Sequence, residues 1–293
     1  MDVVRVAILL VGHLRSAPRL VLEENLKFAQ SVFGVSADSV SAYISTYNVR
    51  GNFASNVKNY SDVGTSWIDD VSDTGVLEDL KWLEDHKRVV LLDKESYADT
   101  QMMVTRVVEG LVAKSGRHVE GAGLLASGVA QARKLVRLWE LADLANSNFD
   151  IVMKSRPDAI AKFNQRSRRN LRPREREILA VGEHRYVTEV SSNRVWGGLT
   201  LSNRRPFMND IIYWATKTTF QSWVRLLKVE HSQPRQIGPN TDLVPLQFAT
   251  PNTRGRAASW AMPELMLGEL ARNANLRIKT INGFIERRGL EDA

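Results

Sequence analysis

The stretch Phe149-Asp150-Ile151-Val152-Met153-Lys154-Ser155-Arg156-Pro157-Asp158 carries the most information about this chain. Its first half is a short, β-branched apolar run of the kind that forms a buried strand. Its second half sets an arginine and a carboxylate where that strand should end. Upstream, Leu124 to Asn146 reads as an amphipathic helix with Leu135, Leu138, Trp139 and Leu141 on the packed side. Helix followed by buried strand is half of a crossover unit, and the other half lies at the N-terminus. There Val3 to Val11 (VVRVAILLV) reads as a first strand, and Pro18 sits where the first helical position should be. Leu20, Leu22, Leu26, Phe28 and Ala29 then give a helical face that stops at Gly34.

A second strand is expected over Ser39 to Thr46, with Val40, Ala42 and Ile44 on one side. Residues 48–75 are rich in Asn, Ser and Asp and read as a long loop. A helix over 76–85, a strand over 88–92 and a helix over about 97–114 follow. Past the central strand, short strands are expected near 186–190 and 195–201. A helix over 206–228, a polar loop over 232–256, a helix over 261–273 and a strand over 276–281 complete the order. Alternating strands and helices define an α/β chain with a mainly parallel central sheet flanked by helices. No repeat or composition break marks a linker. The reading is one domain over 1–293, with a nucleotide-binding half over about 1–160 and an acceptor half over about 180–281.

Composition narrows the chemistry. The 293 residues hold 40 Lys and Arg against 33 Asp and Glu, for a formal charge of +7, and 43% are hydrophobic, the share of an ordinary folded protein. No cysteine is present, which excludes disulfide scaffolds, thiolate zinc sites and cysteine nucleophiles. The five histidines, His13, His86, His118, His184 and His231, lack metal-ligand spacing. The apolar run at Val3–Val11 is far shorter than the ~20 residues of a bilayer span. It is also followed by Gly12-His13-Leu14-Arg15 rather than a small-residue cleavage site. The expected location is cytoplasmic.

The positive charge is concentrated. Residues 162–177 hold seven basic side chains (Lys162, Arg166, Arg168, Arg169, Arg172, Arg174, Arg176) against Glu175 and Glu177. That segment carries +5 of the chain's +7, leaving +2 for the other 277 residues. It begins four residues after Asp158, which points to an anionic ligand or acceptor near that residue, with Arg166, Arg168 and Arg169 as its contacts. Aromatic interleaving is nearly absent, with Phe163 alone nearby, so nucleic acid is not the expected partner. Anionic headgroups or a lipid-linked acceptor fit better, with the protein peripheral to the inner face of a membrane. A merely solvated basic loop is the plain alternative.

Each candidate site residue has a sharp and a plain reading. Arg156 offers a guanidinium fork suited to phosphate, and Asp158 with substrate oxygens is a normal way to hold Mg²⁺. The plain alternative is a surface turn with a local ion pair. Gly12 allows close backbone approach and Arg15 can clamp a phosphate, although neither a Rossmann fingerprint nor a P-loop is present. Thr46, Tyr47 and Asn48 can meet a base and a ribose, or be ordinary turn residues. Asp210 and Glu264 stand at expected helix starts, where capping competes with a role as catalytic base. Trp196, Trp214, Trp223 and Trp260 read as core rather than sugar platforms.

Several of these pieces resemble, in their order, bacterial and viral sugar-transferring proteins of the GT-A glycosyltransferase type. The similarity runs through VAILLVGHLRS with its Gly-x-x-Arg turn, AYISTYN with its Thr-Tyr-Asn strand end, and FDIVMKSRPD. Downstream, FMNDIIYWA and AMPELMLGEL are similar to an Asn-Asp and a Pro-Glu ahead of helices, so the resemblance spans roughly 3–280. It implies a GT-A-like, Rossmann-related fold. It also implies a nucleotide-sugar donor and a glycan or lipid-linked acceptor, in lipopolysaccharide, capsule or similar surface-polysaccharide synthesis. Gly12, Arg15, Thr46, Tyr47 and Asn48 would then hold the nucleotide, and Arg156 and Asp158 the diphosphate. Where such enzymes carry Asp-x-Asp for Mg²⁺ or Mn²⁺, this chain has Arg156-Pro157-Asp158, so Asp158 is the remaining metal candidate and Arg156 an alternative source of positive charge. The acceptor-side base would be Asp210, with Glu264 second.

Overall fold

A computed structural model describes residues 3–14, 17–48, 74–100, 102, 122–163, 171–182, 195–196, 199–200, 208, 211–227, 267–268, 270–271, 274–282 and 284–287. Residues 49–73 of the expected loop 48–75, the strand near 186–190 and the loop 232–256 lie outside them, as does most of the helices over 97–114 and 261–273.

The first strand, β1 (Val6–Val11), is buried along its whole length. Alternate side chains enter two cores: Ala7, Leu9 and Val11 one, Val6, Ile8 and Leu10 the other. A strand covered on both faces needs an unbroken apolar run, which is what the sequence supplies. Helix α1 (Pro18–Phe33) begins with Pro18 and ends at Gly34, whose φ of 65° is the left-handed cap that glycine adopts freely. β2 (Val40–Tyr47), α2 (Thr74–Asp85), β3 (Val89–Glu95), α3 (Ala122–Leu141) and β4 (Ile151–Ser155) follow. They occupy the positions the periodicity predicts to within a few residues.

The later part departs from expectation. The strands β5 (Ala159–Lys162) and β6 (Glu177–Gly182) occupy a segment for which no element is expected, and β7 (Val195–Trp196) and β8 (Leu199–Thr200) make a minimal antiparallel pair. The predicted helix 206–228 is corrected: its middle is the strand β9 (Tyr213–Thr216), and helix α4 (Lys217–Leu227) starts only afterwards. Tyr213 and Trp214 pair with β4 on one side and β6 on the other, and sheet pairing outweighs the helical period of a four-residue apolar run. Thr216 marks the boundary, since its hydroxyl accepts a hydrogen bond from the Thr219 N–H at 3.3 Å, as an N-cap residue does. β10 (Arg277–Asn282) and β11 (Phe284–Arg287) end the order.

The sheet runs β10-β6-β9-β4-β1-β2-β3, and β9 is antiparallel to both its neighbours while the other four pairings are parallel. This is a mainly parallel α/β sheet flanked by helices. α1 and α2 pack Leu22, Leu26, Phe33, Leu80 and Leu83 on one face. α3 and α4 pack Leu135, Leu138, Trp139, Phe220 and Trp223 on the other. Trp214 and Trp223 are core residues, both 0% exposed. Among the described residues no helix is long and apolar enough to cross a membrane.

Candidate functional site at the carboxyl edge of the sheet

From β1 the chain winds outward through β2 and β3, then returns to place β4 on the other side of β1. The strand order reverses between β1 and β4, and ligands of open α/β sheets sit outside the strand carboxyl ends at that point. Two predicted segments meet there. Gly12 follows β1 with φ of 136°, and its N–H donates to the Ser45 carbonyl at 3.1 Å. A Cβ at Gly12 would lie 3.5 Å from the Cδ of Pro157, so the two turns are in contact. That separation is ordinary van der Waals contact, so the demand for glycine comes from φ. Gly12→Ala is expected to cost about 1–3 kcal/mol of unfolding free energy, read as a lower urea midpoint.

Arg156 and Asp158 form a bidentate pair across the Pro157 turn. The Arg156 Nε lies 2.9 Å from Asp158 Oδ1, and a terminal nitrogen lies 3.3 Å from Oδ2. Asp158 is wholly buried, whereas 14% of the Arg156 side chain remains exposed. The carboxylate therefore gives both oxygens to the guanidinium and orients it. Among the described residues no three His, Asp or Glu side chains gather where a metal ion could be held. Asp158 as placed does not by itself make a Mg²⁺ or Mn²⁺ site, since its oxygens already serve Arg156.

The end of β2 brings Thr46, Tyr47 and Asn48 to the same edge. Thr46 is fully buried, and its hydroxyl has no hydrogen-bond partner among the described residues. The Tyr47 ring is enclosed by His13, Tyr97 and Lys134, at 4.3, 5.2 and 3.8 Å. Burial pushes its phenol well above the ordinary range, and the negative Glu95 adds to the effect. Asn48 is exposed, but its side-chain oxygen accepts from the Tyr97 N–H at 3.2 Å and its own N–H donates to the Glu95 carbonyl at 3.0 Å. Asn48 thus joins the end of β2 to the turn after β3.

Beneath this edge lies a charged network that the sequence reading missed. Lys134 of α3 is 0% exposed, and its ammonium donates to Glu95 at 2.7 Å and to the Thr46 carbonyl at 2.8 Å, with the Ser45 hydroxyl at 3.5 Å. Arg133 reaches Glu95 at 2.7 Å, and Arg137 holds Asp93 with two bonds of 3.0 and 3.1 Å. Burial outweighs the attraction of Glu95 and lowers the Lys134 ammonium to about 8. For Asp93, burial works upward, but the hydrogen bonds from Arg137 and Ser45 prevail and hold its carboxyl below the ordinary value. A signal existed: Asp93 and Glu95 alternate onto one face of β3, and Arg133, Lys134 and Arg137 share one face of α3.

Of the basic stretch, Arg172, Arg174 and Arg176 lie at the edge of the sheet away from Asp158. β6 runs parallel to β4, so its start, Glu177, is at the amino edge, opposite the Gly12 and Arg156 turns. Arg172 there donates to the Phe33 carbonyl at 3.2 Å, at the C-terminus of α1, and Arg176 donates to the Ala274 carbonyl at 3.3 Å. Cations at helix C-terminal carbonyls complement the helix dipole. Lys162 is ion-paired with Glu286. Arg172, Arg174 and Arg176 thus stay away from the crevice, although the basic stretch begins four residues after Asp158 in sequence. Arg15, Arg166, Arg168, Arg169, Asp210 and Glu264 lie outside the described residues. The helix expected over 206–228 begins at Lys217. The chain matches no known protein-family model and no curated protein sequence.

Proposed function

We propose that this chain is a GT-A-type glycosyltransferase that moves a sugar from a nucleotide-sugar donor to a glycan or lipid-linked acceptor in surface-polysaccharide synthesis. The observation that carries the reading is the meeting of Gly12 with the Arg156-Pro157-Asp158 turn at the point where the strand order reverses. Both segments are among those that carry the family resemblance. The single antiparallel strand β9 separates this sheet from an all-parallel dinucleotide-binding one, in keeping with that reading.

In the proposed reaction the nucleotide lies over the ends of β1 and β2, against Gly12, Arg15 and the Thr46-Tyr47-Asn48 segment. Arg156, oriented by Asp158, offsets the negative charge that builds on the diphosphate as the bond to the sugar breaks. A Mg²⁺ or Mn²⁺ ion would supply the same neutralisation, and Asp158 could hold it only if its bonds to Arg156 opened. In an inverting transfer Asp210, or secondarily Glu264, takes the proton of the acceptor hydroxyl; a retaining transfer needs no such base. The alternative reading, a nucleic-acid or anionic-surface module built on 162–176, loses ground because Lys162, Arg172 and Arg176 already serve protein groups.

The test is a thermal-shift screen of nucleoside diphosphates and their sugars, with and without Mn²⁺. One of them, at about a hundredfold excess over its Kd, adds roughly 2.7 kcal/mol and raises Tm by roughly 5 °C or more. If none of them moves Tm, the glycosyltransferase reading fails.

A further inference from the structure

The buried ammonium of Lys134 is poorly explained by stability. The network holds three cations, Arg133, Lys134 and Arg137, against two carboxylates, Asp93 and Glu95. Glu95 already has Arg133 at 2.7 Å and Arg137 at 3.1 Å, and Asp93 has its own bidentate arginine. Removing Lys134 would leave neither carboxylate without a cation, whereas an apolar side chain of similar length would avoid burying an ammonium. What Lys134 does that no neighbour does is bind the backbone: it ties the Thr46 carbonyl of β2 to Glu95 of β3, beneath the Tyr47 ring. The bonded positions are the last ladder pairs of the two strands, Thr46 with Lys94 and Tyr47 with Glu95. Beyond them the segment opens onto the crevice through Asn48.

We infer that Lys134 is a positioning residue for the donor nucleotide: by clamping the ends of β2 and β3 it fixes the Thr46-Tyr47-Asn48 segment against which the nucleotide lies. This rests on the nucleotide-sugar reading above for the ligand, and on geometry alone for the clamp. The groups facing the ammonium are Glu95 and Asp93 from β3, Tyr47 and the Ser45 hydroxyl from β2, and Arg133 and Arg137 beside it on α3, with His13 and Tyr97 behind the Tyr47 ring. Because burial lowers the ammonium to about 8, mild alkali discharges it while Tyr47, pushed upward, stays neutral. Loss of that charge undoes the clamp without any mutation.

The experiment compares wild type with Lys134→Met, using uridine diphosphate and guanosine diphosphate as probes in titration calorimetry. Hydrogen exchange of the peptides covering 44–48 and 95–97 is followed alongside. The expected result is a Kd at least tenfold weaker in Lys134→Met for whichever probe binds wild type, with faster exchange confined to those two peptides. Wild type itself should lose affinity as pH rises from 7 to 8.5, below the range in which the uracil and guanine rings lose their own ring protons, and Lys134→Met should not. Lys134→Gln is the second variant, which keeps the comparison decisive even where Lys134→Met does not fold. An unchanged Kd with locally faster exchange overturns the positioning role while leaving the glycosyltransferase reading intact. Exchange that quickens uniformly assigns Lys134 to general stability and overturns the clamp. Failure of both probes to bind wild type, beside local exchange changes in the variant, sinks the nucleotide role and leaves the clamp as a structural device only.

Discussion

Glu95→Gln is expected to lower the unfolding free energy by roughly 3 kcal/mol at pH 7, more than any single exposed charge removal in this protein. Glu95 is 8% exposed and serves Arg133, Lys134 and Arg137 at once. Part of the loss comes from Lys134, and its size is bounded. With the ammonium at about 8, the protonated form is favoured over the neutral one by roughly 1.4 kcal/mol at pH 7. A lysine deprived of its carboxylate cannot lose more than this before it releases its proton. Arg133 has no such escape, because a guanidinium stays charged, and a charge-assisted bond of this kind contributes about 1.5–3 kcal/mol. Lys134→Met should change stability by about 1 kcal/mol or less, since Glu95 keeps both arginines and no ammonium remains buried. Glu84→Gln, which disrupts an exposed pair with Lys94, serves as the control and should stay below about 1 kcal/mol. Urea unfolding of the three variants orders them. A Lys134→Met loss equal to that of Glu95→Gln would mean that the lysine, not the carboxylate, holds the network together.

The contrast between the first and second halves of the chain shows what a one-dimensional pattern can carry. β1 and β4 are buried on both faces and announced by apolar runs, β2 by the alternation of Val40, Ala42 and Ile44, and Pro18 and Gly34 bracket α1 by local backbone chemistry. The Arg156-Pro157-Asp158 turn was legible for the same reason: a residue following a central parallel strand must emerge at its carboxyl edge. β9 was not legible. Its four residues match a helical pattern as well as a strand pattern, and only pairing with β4 and β6 decides between them. The Lys134 network was hidden by distance, because Lys134 lies 39 residues from Glu95 and 88 from Thr46, and its chemistry exists only where three elements converge. Part of the basic stretch shows the opposite effect: Arg172 and Arg176 follow Asp158 closely in sequence, yet they bond the Phe33 and Ala274 carbonyls at the other edge of the sheet.

Arg156→Ala is expected to weaken nucleoside diphosphate binding about 10–100-fold, the loss of one charge-assisted, geometrically fixed contact to phosphate. The argument starts from the burial asymmetry of the pair. Asp158 has 1% of its side chain exposed and Arg156 has 14%, so the guanidinium, not the carboxylate, is the group that a ligand at the crevice meets. Asp158 holds Nε and one terminal nitrogen, which locks the plane of the fork. Arg156→Lys keeps the charge but loses that plane, and should recover only a small part of the affinity. Asp158→Asn leaves the guanidinium in place but less firmly oriented, so its binding loss should be smaller than that of Arg156→Ala. Each Kd is measured by titration calorimetry on protein shown to be folded by circular dichroism, because a buried carboxylate without its arginine also weakens the fold. Mn²⁺ separates the two ways of neutralising a diphosphate. With Arg156 in that role, wild-type affinity changes less than about threefold on adding Mn²⁺, a difference of roughly 0.7 kcal/mol. A tenfold Mn²⁺ enhancement that Asp158→Asn abolishes would instead make Asp158 a metal ligand, and would require its bond to Arg156 to open when the donor binds.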